Sequence, residues 1–446
     1  MPAPPNTVIM PPMDPSASDN PARQKPTTAQ QSHLWFPYAQ MKRMRAPYKV
    51  VGASGVRIHL ADGTQLIDAV SSWWAVIHGY DHPDILKAAH QQLDTFPHVM
   101  LGGLTHEPAT QLAEALAKRT PGDLDHVFFA DSGSVGVEVA LKIAIQFHRN
   151  HGHPQRHKFV ALRKAYHGDT TGAMSVSDPQ DSMHHLFAPI LQQHHFAPAP
   201  RGGFDADQQT VADDLADLEA LLRHHQDELA AMICEPILQA AGGFNIYSPA
   251  YLQGARELCD RFGVLLIFDE VATGLGRTGT LFAAQHANVT PDLMILGKAL
   301  TAGYTGHAAV IARRHIFDAF WSDDPDHALM HGPTFMANPT ACTIALAGLH
   351  VFERDRYPDR IAHIEEQLQE RILPLEGLQI ADTRVIGATA VVEVHDPSDL
   401  DGLQAYAAAR GVWLRKFGRY AYTMPPYVIT DDDLSTILDV FESWFG

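Results

Sequence analysis

An acidic residue and a lysine each follow an apolar run that is typical of a buried strand. Residues 264–268 read VLLIF and precede Asp269, and residues 293–296 read LMIL and precede Gly297 and Lys298. In parallel sheets with helices on both faces, ligands bind outside the carboxyl ends of such strands. A lysine there can form a Schiff base, and a carboxylate can pair with a protonated pyridine nitrogen. The two residues therefore predict the chemistry of pyridoxal 5'-phosphate (PLP).

Each residue alone also has an ordinary structural explanation, because a lysine after a strand is often solvated and an aspartate there often caps a helix. A third sequence feature, residues 131–134, suggests a site for the phosphate of PLP. Residues 131–134 read DSGS, follow the strand-like VFF at 127–129 and precede an apolar-periodic helix pattern. Free N–H groups at a helix start bind phosphate, although an ordinary capped turn between strand and helix explains this segment as well.

A glycine-rich segment, residues 274–279 (GLGRTG), matches the G-x-G-x-x-G pattern of dinucleotide-binding folds. Five residues separate it from the strand before it, and the next strand ends in lysine rather than in an acid. We therefore reject dinucleotide binding and expect a glycine-rich loop that fits closely around other backbone.

The chain has 27 histidines, some of them crowded together. One crowded group consists of His148, His151, His153 and His157. Two adjacent pairs are His184-His185 and His194-His195. Neither H-E-x-x-H nor paired C-x-x-C motifs accompany them, so we expect solvated surface histidines and no metal site.

The composition of the 446 residues limits the partners and the compartment. With 33 basic and 51 acidic residues, the net charge of −18 argues against nucleic acid and anionic membranes as partners. No apolar run reaches membrane-spanning length. Three cysteines far apart in apolar segments suggest core residues in a reducing compartment, so we expect a cytoplasmic protein.

Helix and strand patterns alternate between residues 75 and 335, which predicts an α/β fold with a mostly parallel sheet. After residue 335 long helices and a strand pair predict a smaller α+β domain. The segment 47–70 is expected to join it, with Asp62-Gly63 as the turn of a hairpin between residues 56–60 and 65–67. The predicted units are a disordered Pro-rich tail at 1–33, the first part of the small domain at 34–74, the large domain at 75–337 and the rest of the small domain at 338–446.

Several motifs resemble the class III aminotransferases, which are PLP-dependent transferases of fold type I. The segments that carry this resemblance are EP at 235–236, DEVATG at 269–274, GRTG at 276–279 and GKAL at 297–300. Further matches run in the same order from about Trp35 to Tyr427. Three of them, SSWWA at 71–75, HGPTF at 331–335 and MPPY at 424–427, resemble one biotin-pathway branch of that family.

The resemblance implies catalytic roles for three residues. Lys298 would hold PLP as a Schiff base and move a proton, Asp269 would pair with the pyridinium nitrogen, and Tyr166 would stack on the ring. Pro333 and Thr334 would reach the phosphate of a partner subunit, which implies a homodimer with shared active sites. The positions implied to bind the cofactor are Gly133, Ser134, Tyr166, Asp269, Lys298, Pro333 and Thr334.

The same resemblance implies a set of substrate contacts. Arg415 suits a carboxylate, because its planar guanidinium can donate two parallel hydrogen bonds. The positions implied to contact substrate are Tyr38, Trp73, Tyr166, Asp169, Lys298, Gly332, Arg415 and Tyr422. Two departures from the family pattern, Lys416 and residues 301–307, fall where donor specificity could change.

The implied reaction is a ping-pong transamination in biotin biosynthesis, through the PLP Schiff base with Lys298. The amino group of S-adenosylmethionine would pass to 8-amino-7-oxononanoate and give 7,8-diaminononanoate. The alternatives are lysine as the donor in the same reaction, or an ω-amino acid transaminase that uses pyruvate as the acceptor. A non-catalytic binding protein on this scaffold is a further alternative, but it would not be expected to keep both Asp269 and Lys298.

Overall fold

The structure is a computed structural model that describes residues 33–42, 44–180 and 184–446. The predicted tail therefore lies outside the described residues, except for His33. The strands, numbered in chain order, are β1 Val50–Ser54, β2 Arg57–Leu60, β3 Gln65–Asp68, β4 Leu124–Ala130, β5 Lys158–Leu162, β6 His195–Ala197, β7 Leu229–Cys234, β8 Leu238–Gln239, β9 Asn245–Ile246, β10 Leu265–Asp269, β11 Leu293–Leu296, β12 Ala308–Arg313, β13 Ile380–Ile386, β14 Thr389–Val394, β15 Val412–Trp413, β16 Arg415–Phe417 and β17 Tyr420–Thr423.

A seven-stranded sheet in the order β4-β12-β11-β10-β7-β5-β6 forms the centre of the large domain. β10 runs parallel to β7 and β11, whereas β12 is antiparallel to both of its neighbours. The middle strands β7, β10 and β11 are buried along their whole length. Alternate residues of β10 pack into different apolar clusters, Leu266 and Phe268 in one and Leu265 and Ile267 in the other. The predicted α/β fold with a mostly parallel sheet is confirmed.

Helices alternate with the strands of the central sheet, and long helices follow residue 335, as the sequence pattern predicts. The helix Pro249–Phe262 begins after Ser248, whose side chain accepts from the N–H of Ala250, and ends at Gly263 with φ 62°. Its end thus needs the left-handed backbone that glycine adopts at little cost. The α-helices are Pro83–Thr95, Glu107–Ala117, Gly133–Asn150, Thr171–Ser175, Gln208–His225, Pro249–Phe262, Ala284–Ala287, Arg314–Asp318, Pro339–Arg354, Tyr357–Ile372, Leu403–Ala408 and Asp431–Phe445.

Two four-stranded sheets, β1-β2-β3-β15 and β13-β14-β17-β16, make up the smaller α+β region. β2 and β3 form the antiparallel hairpin expected around Asp62-Gly63. The first sheet joins the two ends of the chain, because β15 pairs in parallel with β3 and Arg57 forms an ion pair with Asp433.

The glycine-rich loop at 274–279 holds the two regions together. The guanidinium of Arg277 is buried and donates to the carbonyls of Ala388 (2.9 Å) and Pro425 (3.1 Å). A Cβ on Gly387, which has φ +50°, would lie only 2.4 Å from the nitrogen of Gly279. The loop therefore fits closely around other backbone, as its sequence predicts.

The described residues also include the cysteines and the crowded histidines that stand out in the sequence. Their three cysteines are buried and unpaired. Among these residues, no helix is both long and apolar enough to cross a bilayer. The expectation that the crowded histidines are solvated is wrong for His148, which is buried with Nε2 2.9 Å from the carbonyl oxygen of Ala230. A partner on a neighbouring strand explains its burial, and sequence crowding does not reveal such a partner.

Candidate active site

A cavity of about 190 Å³ opens at the carboxyl ends of β10 and β11. Asp269 is the last residue of β10, and Lys298 follows β11 after one glycine. The two side chains line the same cavity, as expected for neighbouring parallel strands. The lining residues are Trp74, Ser132, Gly133, Ser134, Tyr166, His167, Gly168, Glu235, Asp269, Val271, Ala272 and Lys298.

Lys298 is held in a constrained position. Its backbone has φ 43°, and its Nζ lies 4.9 Å from the centre of the Trp74 ring. Burial lowers the pKa of Lys298, and the negative charges of Asp269 and Glu235 oppose that effect. An amine that loses its proton more readily than a free lysine is suited to act as nucleophile and base.

Asp269 is fixed by two contacts. Its Oδ2 lies 2.7 Å from Nδ1 of His167, and its Oδ1 accepts from the N–H of Val271 at 3.1 Å. The His167 side chain is wholly buried and that of Asp269 is nearly so. This contact orients the carboxylate toward the cavity. His167 follows Tyr166 directly in the sequence, but only the fold brings it to Asp269.

The start of the helix Gly133–Asn150 forms one wall of the cavity. Ser132 caps the helix by accepting from the N–H of Val135, and Gly133 and Ser134 line the cavity. A Cβ on Gly133 would lie 2.8 Å from the Val271 side chain, so only glycine fits this close approach. The first N–H groups of a helix have no partner within the helix and attract anions.

These groups fit PLP. An amine with a lowered pKa, a fixed carboxylate, a helix start suited to phosphate and the aromatic ring of Tyr166 surround one cavity. Lys298, Asp269, Gly133 and Ser134 are the residues that would hold the cofactor.

A hydrogen-bonded cluster lies at the mouth of the cavity. The hydroxyl of Tyr166 donates to Oδ1 of Asp169 (3.0 Å), and Nε2 of His184 lies 3.0 Å from the same oxygen. Tyr38 donates to Oδ2 of Asp169. These contacts, led by that of His184, lower the pKa of Asp169 to about 2. The mouth therefore carries a permanent carboxylate at neutral pH.

His184 corrects a second expectation from the histidine pattern, because it is buried and not solvated. Its ring also stacks on that of Tyr166, with centroids 5.6 Å apart. Both contacts involve residues on another loop, so neither is visible in the local sequence.

Arg415 and Tyr422 face each other across the β16–β17 ladder. The Arg415 guanidinium lies 5.5 Å from the centre of the Trp73 ring, and Trp73 makes an edge contact with Tyr38. Arg415, Trp73 and Tyr38 line a second, larger cleft of about 890 Å³. Arg415 has no ion-pair partner among the described residues, which leaves its charge available for a carboxylate. Burial raises the pKa of Tyr422 to about 12.

The two tryptophans are positioned by an unusual turn at Ser71–Trp74. Its four residues have φ values of 48°, 44°, 61° and 74°, although none is glycine. A left-handed backbone costs such residues about 1–2 kcal/mol each. The buried carboxylate of Asp68 offsets this cost by accepting from two N–H groups, those of Val70 (3.1 Å) and Ser72 (2.7 Å), and from the hydroxyl of Tyr80 (2.6 Å).

Three predicted site residues, Gly332, Pro333 and Thr334, do not line the cavity of their own chain. Gly332 and Thr334 are exposed. The resemblance assigns Pro333 and Thr334 to the site of a partner subunit, and that assignment stays a prediction.

The chain is similar in sequence to a known family and to named proteins. Residues 38–445 match the family described as Aminotransferase class-III. The adenosylmethionine-8-amino-7-oxononanoate aminotransferase of Corynebacterium glutamicum is 43% identical over 409 residues, which cover 91% of this chain and 95% of that protein. The protein of the same name from Buchnera aphidicola is 40% identical over 421 residues, which cover 94% and 97%.

Solved structures of two kinds of transaminase share this fold. The adenosylmethionine-8-amino-7-oxononanoate aminotransferase of Methanocaldococcus jannaschii superposes with a TM-score of 0.87 at 29% identity, covering 93% of this chain and 96% of that one. An (S)-enantioselective omega-transaminase from Thermomicrobium roseum gives 0.86 at 28% identity, covering 94% and 97%. The fold alone therefore does not select between these activities.

Proposed function

The chain belongs to the class III aminotransferases, and we propose that it transfers the amino group of S-adenosylmethionine to 8-amino-7-oxononanoate. The products are the 2-oxo acid of the donor and 7,8-diaminononanoate. The observation that carries this proposal is the pairing of one cavity, lined by Lys298 and Asp269, with a neighbouring cleft lined by Arg415 and aromatic side chains, where no described residue forms an ion pair with Arg415. The names of the sequence relatives support the same substrates.

Bound PLP supplies an electron sink and carries the amino group between the two half-reactions. The protein's own residues do the rest. Nζ of Lys298 takes a proton from the donor carbon that bears the amino group and returns a proton to the acceptor carbon in the second half-reaction. Asp269, oriented by His167, keeps a negative charge at the end of the cavity. The helix start at Gly133 and Ser134 binds the phosphate.

Side chains of the site suit the carboxylate that both substrates carry and one charged group of each substrate. Both carry a carboxylate, which Arg415 can bind through two parallel hydrogen bonds. Asp169 stays ionised at neutral pH, so it can bind the amino group that the acceptor already carries. The aromatic rings of Tyr38 and Trp73 suit the positive sulfonium of the donor, because ring faces attract cations.

The functional unit in this proposal is a cytoplasmic homodimer. Gly332, Pro333 and Thr334 lie away from the cavity of their own chain, and the exposure of Gly332 and Thr334 leaves this loop free to contact a second subunit. Buried, unpaired cysteines are consistent with a reducing compartment.

The test is a single-turnover assay with the PLP-loaded enzyme and one amino donor at a time. S-Adenosylmethionine should convert the bound cofactor to its amine form, and 8-amino-7-oxononanoate should then reverse the spectral change. Lysine is the donor to compare within the same pathway. Conversion by β-alanine with reversal by pyruvate would instead support the ω-amino acid transaminase, the second candidate, which shares this fold.

A further inference from the structure

Three side chains converge at a place remote from the active site. Nε2 of His195 lies 3.0 Å from Oε1 of Glu228, and Nδ1 of His225 lies 2.7 Å from the same oxygen. The two imidazole rings stack with centroids 3.7 Å apart. One ligand atom from each residue lies within 4.8 Å of the other two. We propose that His195, His225 and Glu228 form a zinc-binding site.

The chemistry of these groups suits zinc. Imidazole nitrogen and carboxylate oxygen bind Zn²⁺ at about 2.0–2.2 Å, so neighbouring ligands around a tetrahedral ion stand roughly 3.3 Å apart. The observed contacts of 3.0 and 2.7 Å are therefore about 0.3 and 0.6 Å shorter than this spacing, so each histidine moves only slightly from Glu228 on binding. The side chains of His195, His225 and Glu228 are 23%, 27% and 38% exposed, which leaves room for water as the fourth ligand.

The backbone already holds the three residues in place. His195 begins strand β6 and pairs with Val160 of β5. His225 is the last residue of the helix Gln208–His225, and the N–H of Glu228 donates to its carbonyl at 3.0 Å. The carbonyl of Glu228 in turn accepts from two N–H groups at the start of β5. A site on such elements needs little reorganisation to bind an ion.

The location indicates a structural role. His195 stands at the amino end of β6, and Glu228 directly precedes β7. This is the opposite end of the parallel strands from Asp269, which is the last residue of β10. β6 is the edge strand of the central sheet and is three residues long. An ion bound here would tie that edge strand to the helix and turn beside it. The sequence motifs contain no sign of such a site, because the three residues come from separate elements of the chain.

The experiment uses untagged, PLP-loaded protein that has been freed of metals with a chelator. Zn²⁺ is titrated by calorimetry, and Co²⁺ is added separately to report tetrahedral coordination by its visible absorption. We expect one equivalent of Zn²⁺ to bind and to raise the melting temperature. His195→Asn and Glu228→Gln should each weaken binding more than about tenfold, because each loses one of three protein ligands. Transaminase turnover should stay unchanged in both variants.

The control is His224→Asn, because His224 is exposed and touches the His225 ring without facing Glu228. It should bind Zn²⁺ as the wild type does. Circular dichroism separates lost binding from lost folding, and two ligand variants guard against one that misfolds. The proposal is overturned if the wild type binds no stoichiometric Zn²⁺, or if both ligand variants bind it with unchanged affinity. In that case the three residues form a hydrogen-bonded cluster only.

Discussion

The imidazole of His167 and the carboxylate of Asp269 form a buried pair, with Nδ1 and Oδ2 2.7 Å apart. An ionised carboxylate can only accept a hydrogen bond, so Nδ1 of His167 carries the proton of this contact. The other ring nitrogen, Nε2, is buried and has no hydrogen-bond partner within residues 33–42, 44–180 and 184–446. Among the described residues, the His167 side chain thus has one hydrogen bond, and that contact orients Asp269.

Replacing His167 with phenylalanine keeps the ring and removes this hydrogen bond. A hydrogen bond to a charged group contributes about 1.5–3 kcal/mol, so we expect kcat to fall roughly tenfold to a hundredfold. The absorbance of the bound cofactor should also change its dependence on pH, because the charge beside the ring is held less firmly. Steady-state kinetics and a spectroscopic pH titration measure both effects. A variant with unchanged kcat and spectrum would show that His167 only fills space.

Lys298→Ala removes the amine at the centre of the cavity. We expect kcat to fall at least about 10⁴-fold, the upper range for loss of a general acid–base group, and borohydride to trap no cofactor on the protein. Lys87→Ala is the matched control, since Lys87 is an exposed lysine on the helix Pro83–Thr95. Retained turnover in the Lys298 variant would refute the catalytic assignment.

Arg415→Lys keeps the positive charge and loses the planar pair of donors. Hydrogen bonds to a charged group contribute about 1.5–3 kcal/mol. Because the variant loses the paired donors, KM for both carboxylate substrates should rise roughly tenfold to a hundredfold. Arg419→Lys, in the same hairpin, is the comparison, and its KM values should match those of the wild type. If KM rises for neither substrate, Arg415 does not bind their carboxylates.

Asp68→Asn tests the left-handed turn at Ser71–Trp74. The amide can no longer accept all the hydrogen bonds of the carboxylate, and each unsatisfied donor costs about 1–3 kcal/mol. Because the turn carries Trp73 beside Arg415 and Trp74 beside Lys298, KM should rise and the spectrum of the bound cofactor should shift. Asp62→Asn, in the exposed hairpin turn, is the control. Equal KM values in the two variants would show that the turn persists without the carboxylate.

His307 predicts a dependence of stability on pH. Burial lowers its pKa to about 4 from a usual value of 6.5. The unfolded chain therefore binds a proton that the folded chain excludes, so stability is complete above pH 6.5 and declines as the pH falls toward 4. One such proton changes the free energy of unfolding by up to about 1.4 kcal/mol per pH unit.

His307→Phe should make that decline less steep, because phenylalanine can keep the stacking on Phe129 and does not titrate. Melting temperatures between pH 7.5 and 4.5 measure the slope. The exposed His224→Asn is the control and should follow the wild type. Identical slopes in all three proteins would contradict the role of His307.

The middle of the central sheet could be predicted because β7, β10 and β11 are buried along their whole length and read as apolar runs. The helix Pro249–Phe262 could be predicted from its caps, Ser248 and Gly263. By contrast, β15 and β16 have two and three residues, too few for a pattern to emerge. Strand β15 also pairs with β3 near the other end of the chain, and no local signal reveals such a pairing.

In the candidate site, too, some residues could be predicted from the sequence and others could not. Asp269 and Lys298 stand out because polar residues rarely end buried strands. The turn at Ser71–Trp74 has neither glycine nor asparagine, the usual markers of left-handed backbone, so its conformation depends on Asp68. His184 gives no signal either, because its burial depends on contacts with another loop.

The pairing of β3 with β15 also sets an order of events during synthesis. A ribosome that has just made β3 must add roughly 350 more residues before β15 emerges, which takes about 20 to 70 seconds at typical rates. The strands of the central sheet, which end at Arg313, are all made within that interval. Until then β3 presents an open edge, and such edges pair with other chains. The first hairpin of the nascent protein is therefore open to aggregation until β15, which lies near the C-terminal end of the sequence, has been made.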